Sequence, residues 1–225
     1  MTSARARLLR GALAAAIGVC LVSCSAIAPD AAPPPTADGQ TRVAFYGDSY
    51  TLGTGASSED KRWSTAICQK RGWAEFNPSV NGLGFVNNRR LFGEGDLPDQ
   101  VIASDPDIVF VTMGLNDNFS YDRVPGRIYE QIGDDLQRIS AAVPDARVVV
   151  VEPFWYTDSR PESVDVIITW VRDAAAAVGA EWIPGASRWL EGHPEWMAAD
   201  GLHPNDAGYA ELTRRMDAEL ARLGL

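Results

Sequence analysis

Only two histidines occur in this chain of 225 residues, and one of them closes the tetrapeptide Asp200-Gly201-Leu202-His203. An aspartate three residues before a histidine, with a glycine between to permit a tight turn, can fix the imidazole in one tautomer and leave its other nitrogen free to act as a base. The second histidine, His193, has Leu190 at that spacing and reads as a loop residue. A base of this kind activates a hydroxyl nucleophile. The serine best placed for that role is Ser49, where the apolar run Val43 to Tyr46 gives way to Gly47-Asp48-Ser49. Acyl transfer also needs donors aimed at the developing oxyanion. The candidates are the backbone N–H of Ser49, a backbone N–H at Gly82 in Asn81-Gly82-Leu83-Gly84, and the side-chain amide of Asn116 in Gly114-Leu115-Asn116-Asp117. Each of these residues alone could be a cap or turn residue; chemistry is suggested by their joint presence. Asp48 and Asp117 read as structural, and no spacing of His, Cys, Asp or Glu suggests a metal site.

These clusters must be held by regular elements. Runs at Val43 to Tyr46, Ile108 to Met113, Arg147 to Val151 and Glu181 to Ile183 read as strands, with a weaker one between Trp73 and Val80 that has to accommodate Pro78. Ile128, Ile132, Leu136, Ile139 and Val143 recur at helical spacing, as do Leu212, Met216, Leu220 and Leu223, while Val164, Ile168, Val171 and Val178 suggest a third helix. The last helix is expected to be capped by Asn205 or Asp206. Strands alternating with helices imply a parallel sheet covered on both faces, with ligands bound at the carboxyl ends of the strands. Three of the four polar clusters leave such ends.

Taken in order, Gly47-Asp48-Ser49-Tyr50, the glycine segment around Gly82, Gly114-Leu115-Asn116-Asp117 and Asp200-Gly201-Leu202-His203 resemble the four blocks of the SGNH, or GDSL-type, hydrolase family. The resemblance implies a flavodoxin-like three-layer α/β/α sandwich and a serine esterase that uses no metal or other cofactor. It also implies Ser49, Asp200 and His203 as catalytic residues, with Ser49, Gly82 and Asn116 as the oxyanion hole. Gly82 is preferred to Gly84 for the glycine donor. Tyr50 stands where the family motif has leucine, a change expected to leave the chemistry untouched. No Gly-x-Ser-x-Gly elbow surrounds Ser49, which argues against the other large serine-esterase fold.

Residues 1–23 read as an export signal: Arg5, Arg7 and Arg10 precede an apolar run from Gly11 to Val22. The following Leu21-Val22-Ser23-Cys24 resembles a bacterial lipobox, implying lipidation of Cys24 and attachment to the outer face of the cell membrane, or secretion if Cys24 is left unmodified. Residues 24–40 are rich in Ala and Pro and read as a linker, leaving 41–225 as the hydrolase domain. Lys and Arg number 20 against 30 Asp and Glu, a net charge of −10. That balance argues against nucleic acid and against electrostatic attraction to anionic polymers or lipids. The expected partner is a small-molecule or carbohydrate ester, with short acyl groups favoured. Acyl transfer, lysophospholipid or thioester hydrolysis and a non-catalytic binding role are the alternatives. Among the seven tryptophans, Trp155 and Trp196 are the candidates for pocket walls.

Overall fold

The computed structural model describes residues 39–92 and 95–225, together with Pro33 and Ala37. The leader expected over 1–23, the lipidated Cys24 and most of the linker expected over 24–40 lie outside the described residues. Five strands form one parallel sheet: β1 (Arg42–Tyr46), β2 (Ala74–Phe76), β3 (Ile108–Val111), β4 (Arg147–Val151) and β5 (Glu181–Ile183), in the order β2-β1-β3-β4-β5. The weak strand at 73–80 contracts to three residues and stops before Pro78, which has no N–H to give to a ladder.

Among the described residues six α-helices accompany the sheet: α1 (Ser49–Leu52), α2 (Trp63–Arg71), α3 (Leu97–Ala103), α4 (Pro125–Ala142), α5 (Glu162–Ala177) and α6 (Asp206–Arg222). Alternate residues of a strand face opposite sides, and the two cores follow that rule. Val43, Phe45, Ile108 and Phe110 pack with α2 and α6, whereas Ala44, Tyr46, Val109 and Val111 pack with α3, α4 and α5. The result is a three-layer α/β/α sandwich. In α4 the buried Ile128, Ile132, Leu136 and Ile139 are the residues whose spacing predicts the helix; each stabilises it by about 1.5–3 kcal/mol through burial. In α5 the buried face is Val164, Ile167, Val171 and Ala175, so the apolar stripe runs through Ile167 rather than Ile168. Asn205 caps α6, its side chain accepting from the N–H groups of Ala207 and Gly208.

Helices α2 and α3 have no counterpart in the sequence expectations. Helix α3 nevertheless carries a readable start, since Asp96 and Asp99 form a capping box with Pro98 in the first turn. Among the described residues no helix is long and apolar enough to cross a membrane.

Candidate active site

The sheet order places β2 on one side of β1 and β3, β4 and β5 on the other. The direction of winding therefore changes between β1 and β3, and a crevice at their carboxyl ends is the natural place for a ligand in such a sheet. Tyr46 is level with Val111 in the register, so the chain leaving β1 toward Ser49 runs beside the chain leaving β3 toward Asn116. Close approach is permitted by Gly47. A Cβ there would lie 2.6 Å from Thr51 Cβ, 2.7 Å from Thr112 Oγ1 and 2.8 Å from Ser79 Oγ.

Asp48 then caps the short helix α1, accepting the Tyr50 N–H on Oδ1 at 2.9 Å, while its Oδ2 accepts the Asn116 amide at 3.1 Å. Ser49 becomes the first residue of α1, a position whose N–H has no intrahelical acceptor. Neither that N–H nor the N–H of Gly82 has a backbone acceptor among the described residues. Gly84 differs: its N–H donates to Asn87 O at 2.9 Å, and a Cβ at residue 84 would lie 2.6 Å from the Asp117 carboxylate. Gly82 is thus the glycine with a free donor, and Gly84 is the one that leaves room for Asp117. That carboxylate is fully buried and collects the N–H groups of Phe85, Val86 and Asn87 at 2.7, 2.9 and 3.2 Å. Both amide protons of Asn116 have acceptors, Asp48 Oδ2 and Leu83 O, the latter at 2.9 Å.

Asp200 and His203 come together as their spacing predicts. Asp200 Oδ2 lies 2.6 Å from His203 Nδ1, and Oδ1 accepts the N–H groups of Leu202 at 2.9 Å and His203 at 3.0 Å. With Nδ1 directed at the carboxylate, Nε2 is the nitrogen left for proton transfer. The His203 N–H, the imidazole and the Leu202 N–H pull the Asp200 carboxyl down to about 2, so it stays ionised across the physiological range. Two tyrosines fasten this loop and α6 to the serine segment. Tyr50 Oη donates to Leu202 O at 2.7 Å, and Tyr209 Oη donates to Thr54 O at 2.9 Å. Tyr50, expected to leave the chemistry untouched, ties the chain just after Ser49 to the residue before His203.

The two aromatic candidates for pocket walls fare differently from expectation. Trp155 is buried in the core, with its indole N–H donating to Thr157 Oγ1 and Ser159 O, so it offers no face to a ligand. Its neighbour Tyr156 faces a cleft beside the histidine loop instead. Trp196 is half-buried, and His193 lies parallel to its ring with centroids 3.6 Å apart, covering one face of the indole. Burial pushes the Asp48 carboxyl up to about 7, against the pull of the Tyr50 N–H and with a further push from Asp117. Asp117 itself is pushed by burial up to about 6, in spite of its three backbone donors. Among the described residues no group of three or more His, Cys, Asp or Glu side chains is placed to hold a metal ion.

The GDSL-like Lipase/Acylhydrolase family profile matches residues 45–211, most of the chain. The protein belongs to that family of hydrolases. A curated relative, the GDSL lipase Rv0518 of Mycobacterium tuberculosis (strain ATCC 25618 / H37Rv), is 28% identical over 183 residues, covering 77% of this chain and 79% of the relative. Among solved structures, TesA superposes with a TM-score of 0.65 at 23% identity, over 82% of this chain and 99% of TesA. A mutant form of Axe2, an acetyl-xylooligosaccharide esterase from Geobacillus Stearmophilus, superposes with a TM-score of 0.60 at 18% identity, over 78% of this chain and 92% of that one. These structural likenesses establish the SGNH hydrolase fold.

Two outcomes follow from the geometry. Tyr50→Phe removes the hydroxyl that holds Leu202 O, at a stability cost of about 1 kcal/mol. It is expected to lower kcat for ester hydrolysis about tenfold with KM little changed; an unaltered kcat would show that the histidine loop needs no such tie. For Asp48, the folded-state value of about 7 lies above that of an unfolded carboxyl. Its contribution to stability is therefore most favourable below about pH 4 and is lost as the pH rises through about 7. Urea unfolding of the wild type relative to Asp48→Asn should show the difference falling by up to about 4 kcal/mol between about pH 4 and pH 8. A flat or rising difference would mean that its donors keep the carboxylate ionised in the fold.

Proposed function

We propose that the protein is an exported serine esterase that removes short acyl groups, acetyl foremost, from alcohols through an acyl-Ser49 intermediate. The observation that carries the reading is the Asp200–His203 pair, whose loop is held by the Tyr50 hydroxyl to the segment that carries Ser49. The Ser49 hydroxyl has no hydrogen-bond partner among the described residues, so its contact with His203 Nε2 is one that closes in the substrate complex; the N–H groups of Ser49 and Gly82 have no backbone acceptor among those residues.

In this mechanism His203 Nε2 takes the proton of Ser49 as Oγ bonds to the ester carbonyl carbon. The negative charge then on the carbonyl oxygen is met by the N–H groups of Ser49 and Gly82. Asn116 joins them when one of its amide protons turns from Leu83 O toward that oxygen. The carbon–oxygen bond to the alcohol breaks, and the alcohol leaves with the proton from His203. Water, deprotonated by the same nitrogen, then attacks the acyl carbon; the bond from that carbon to Ser49 Oγ breaks, Oγ recovers the proton from His203, and the carboxylic acid leaves. Asp200 keeps the imidazole in place and stabilises its cationic form.

A cleft of about 420 Å³ beside the histidine loop, walled by Tyr156, Leu190, Pro194, Met197 and Gly201, is the candidate seat for the acyl group. The fold shared with an acetyl-xylooligosaccharide esterase adds O-acetylated carbohydrate to the substrates worth testing. For location, the reading rests on the lipobox-like Leu21-Val22-Ser23-Cys24, which supports a lipid on Cys24 and work at the outer face of the cell membrane.

Hydrolysis of p-nitrophenyl esters from acetate to laurate by the full-length protein, beside Ser49→Ala, tests this reading. The expected result is turnover that falls with chain length and is lost in the variant while the fold persists by circular dichroism. Turnover retained in Ser49→Ala would exclude the acyl-Ser49 route, and a rate that rises toward laurate would exclude the short-acyl preference.

A further inference from the structure

The loop that carries Gly82 also forms one wall of a second cleft, and there the charge of the protein reverses. In a chain of net charge −10, a cleft of about 610 Å³ is lined by Arg90, Arg123 and Arg127, with Asn88, Ser120 and Gln131 between them. A fourth arginine on the wall, Arg89, is already neutralised, since both terminal nitrogens reach the buried Asp135, at 2.6 and 2.8 Å, and one also binds Asp96. The other three differ. No carboxylate among the described residues lies within 4.0 Å of their guanidinium nitrogens, and Arg123 makes only a long bond of 3.3 Å to Ser120 Oγ.

Three exposed guanidiniums without a carboxylate partner among the described residues line one cavity. On an acidic surface they also form the local exception that focuses anions into one place. The forked donors of arginine match the oxygens of phosphate and carboxylate, and amide and hydroxyl groups beside them can complete the bonding. The cleft is joined to the candidate active site through its own walls. Asn87 and Asn88 both donate to Gly82 O, at 2.8 and 2.9 Å, and Ser120 donates to Asn87 at 2.7 Å from the turn that begins at Asn116.

We propose that this cleft binds a phosphate or carboxylate carried by the ester substrate, so that the enzyme prefers anionic esters to neutral ones with the same acyl group. The proposal rests on the esterase reading of Ser49. It names the group on the substrate that this cleft recognises.

The test compares kcat/KM for 1-acetylglycerol 3-phosphate, O-acetylglycerate and neutral 1-acetylglycerol, at low ionic strength, in the full-length protein and in the double variant Arg123→Gln/Arg127→Gln. The expected result is a preference of about tenfold or more for at least one anionic ester, expressed in KM, weakened by added salt and reduced to below about threefold in the variant. Preference for the phosphate ester assigns the cleft to phosphate, and preference for the acetylglycerate assigns it to carboxylate. Equal values for all three esters in the wild type, or a preference that survives in the variant, would overturn the proposal. If no ester is turned over, the esterase reading fails by itself, and calorimetric titration with glycerol 3-phosphate and with glycerate then decides the cleft. Binding of either anion that is lost in the variant supports an anion site, and absence of binding to both overturns it.

Discussion

Much of the site hangs on one buried carboxylate. Asp117 sits in the interior just beyond β3 and gathers three consecutive backbone N–H groups, from Phe85, Val86 and Asn87. Irregular chain cannot be buried unless its polar groups find partners, and this single side chain supplies acceptors for a segment that belongs to no helix or strand. It also dictates that residue 84 be glycine, because a side chain there would meet the carboxylate. With the segment pinned at 84–87, Leu83 O accepts from the amide of Asn116, which is the neighbour of Asp117 in sequence. Two adjacent side chains, Asn116 and Asp117, thus hold the segment that follows Gly82. Burial raises the carboxyl toward about 6 even so, which means that the donors offset only part of the desolvation cost.

The other half of the site is organised by tyrosines rather than by charge. Asp200 and His203 form a local pair on an exposed loop, and a pair of that kind has no reason to stay near Ser49 unless something ties it there. Tyr50 is the next residue after the serine and reaches Leu202 O, while Tyr209 on α6 reaches back to the carbonyl of Thr54. The ring of Tyr50 lies stacked on Phe154 with centroids 5.4 Å apart, so the hydroxyl is aimed by core packing. A stiff aromatic side chain fixed at its base can hold a loop in register with little entropy left to lose. A further network, Tyr46–Asp135–Arg89, fastens the segment after the Gly82 loop to α4.

The sequence made the buried strands and the Asp200–His203 pairing legible for a physical reason. β1, β3 and β4 are covered on both faces, so they read as unbroken apolar runs, and Asp200 lies only three residues from the histidine it serves. What escaped was set by contacts distant along the chain or by side-chain direction. The hydroxyl of Tyr50 finds its acceptor at Leu202, 152 residues further on. Whether Trp155 or Tyr156 faces the cleft depends on how the chain turns after β4, and composition favoured the indole that packing in fact buries. Arg90 is remote in sequence from Arg123 and Arg127, and overall acidity conceals their grouping. Helix α2 was hidden for another reason: its nine residues mix Ser, Thr, Lys and Arg with the buried Trp63, Ile67 and Cys68, which leaves too short a stripe to show a period.

The central claim is that Ser49 is a nucleophile activated by His203. Labelling the full-length protein with a fluorophosphonate, followed by mass spectrometry of its peptides, tests it most directly. The account predicts one adduct, on Ser49, whose formation slows at least ~10²-fold in His203→Ala because the hydroxyl then lacks its base. Folded protein that stays unlabelled, or an adduct on a different serine, would contradict it.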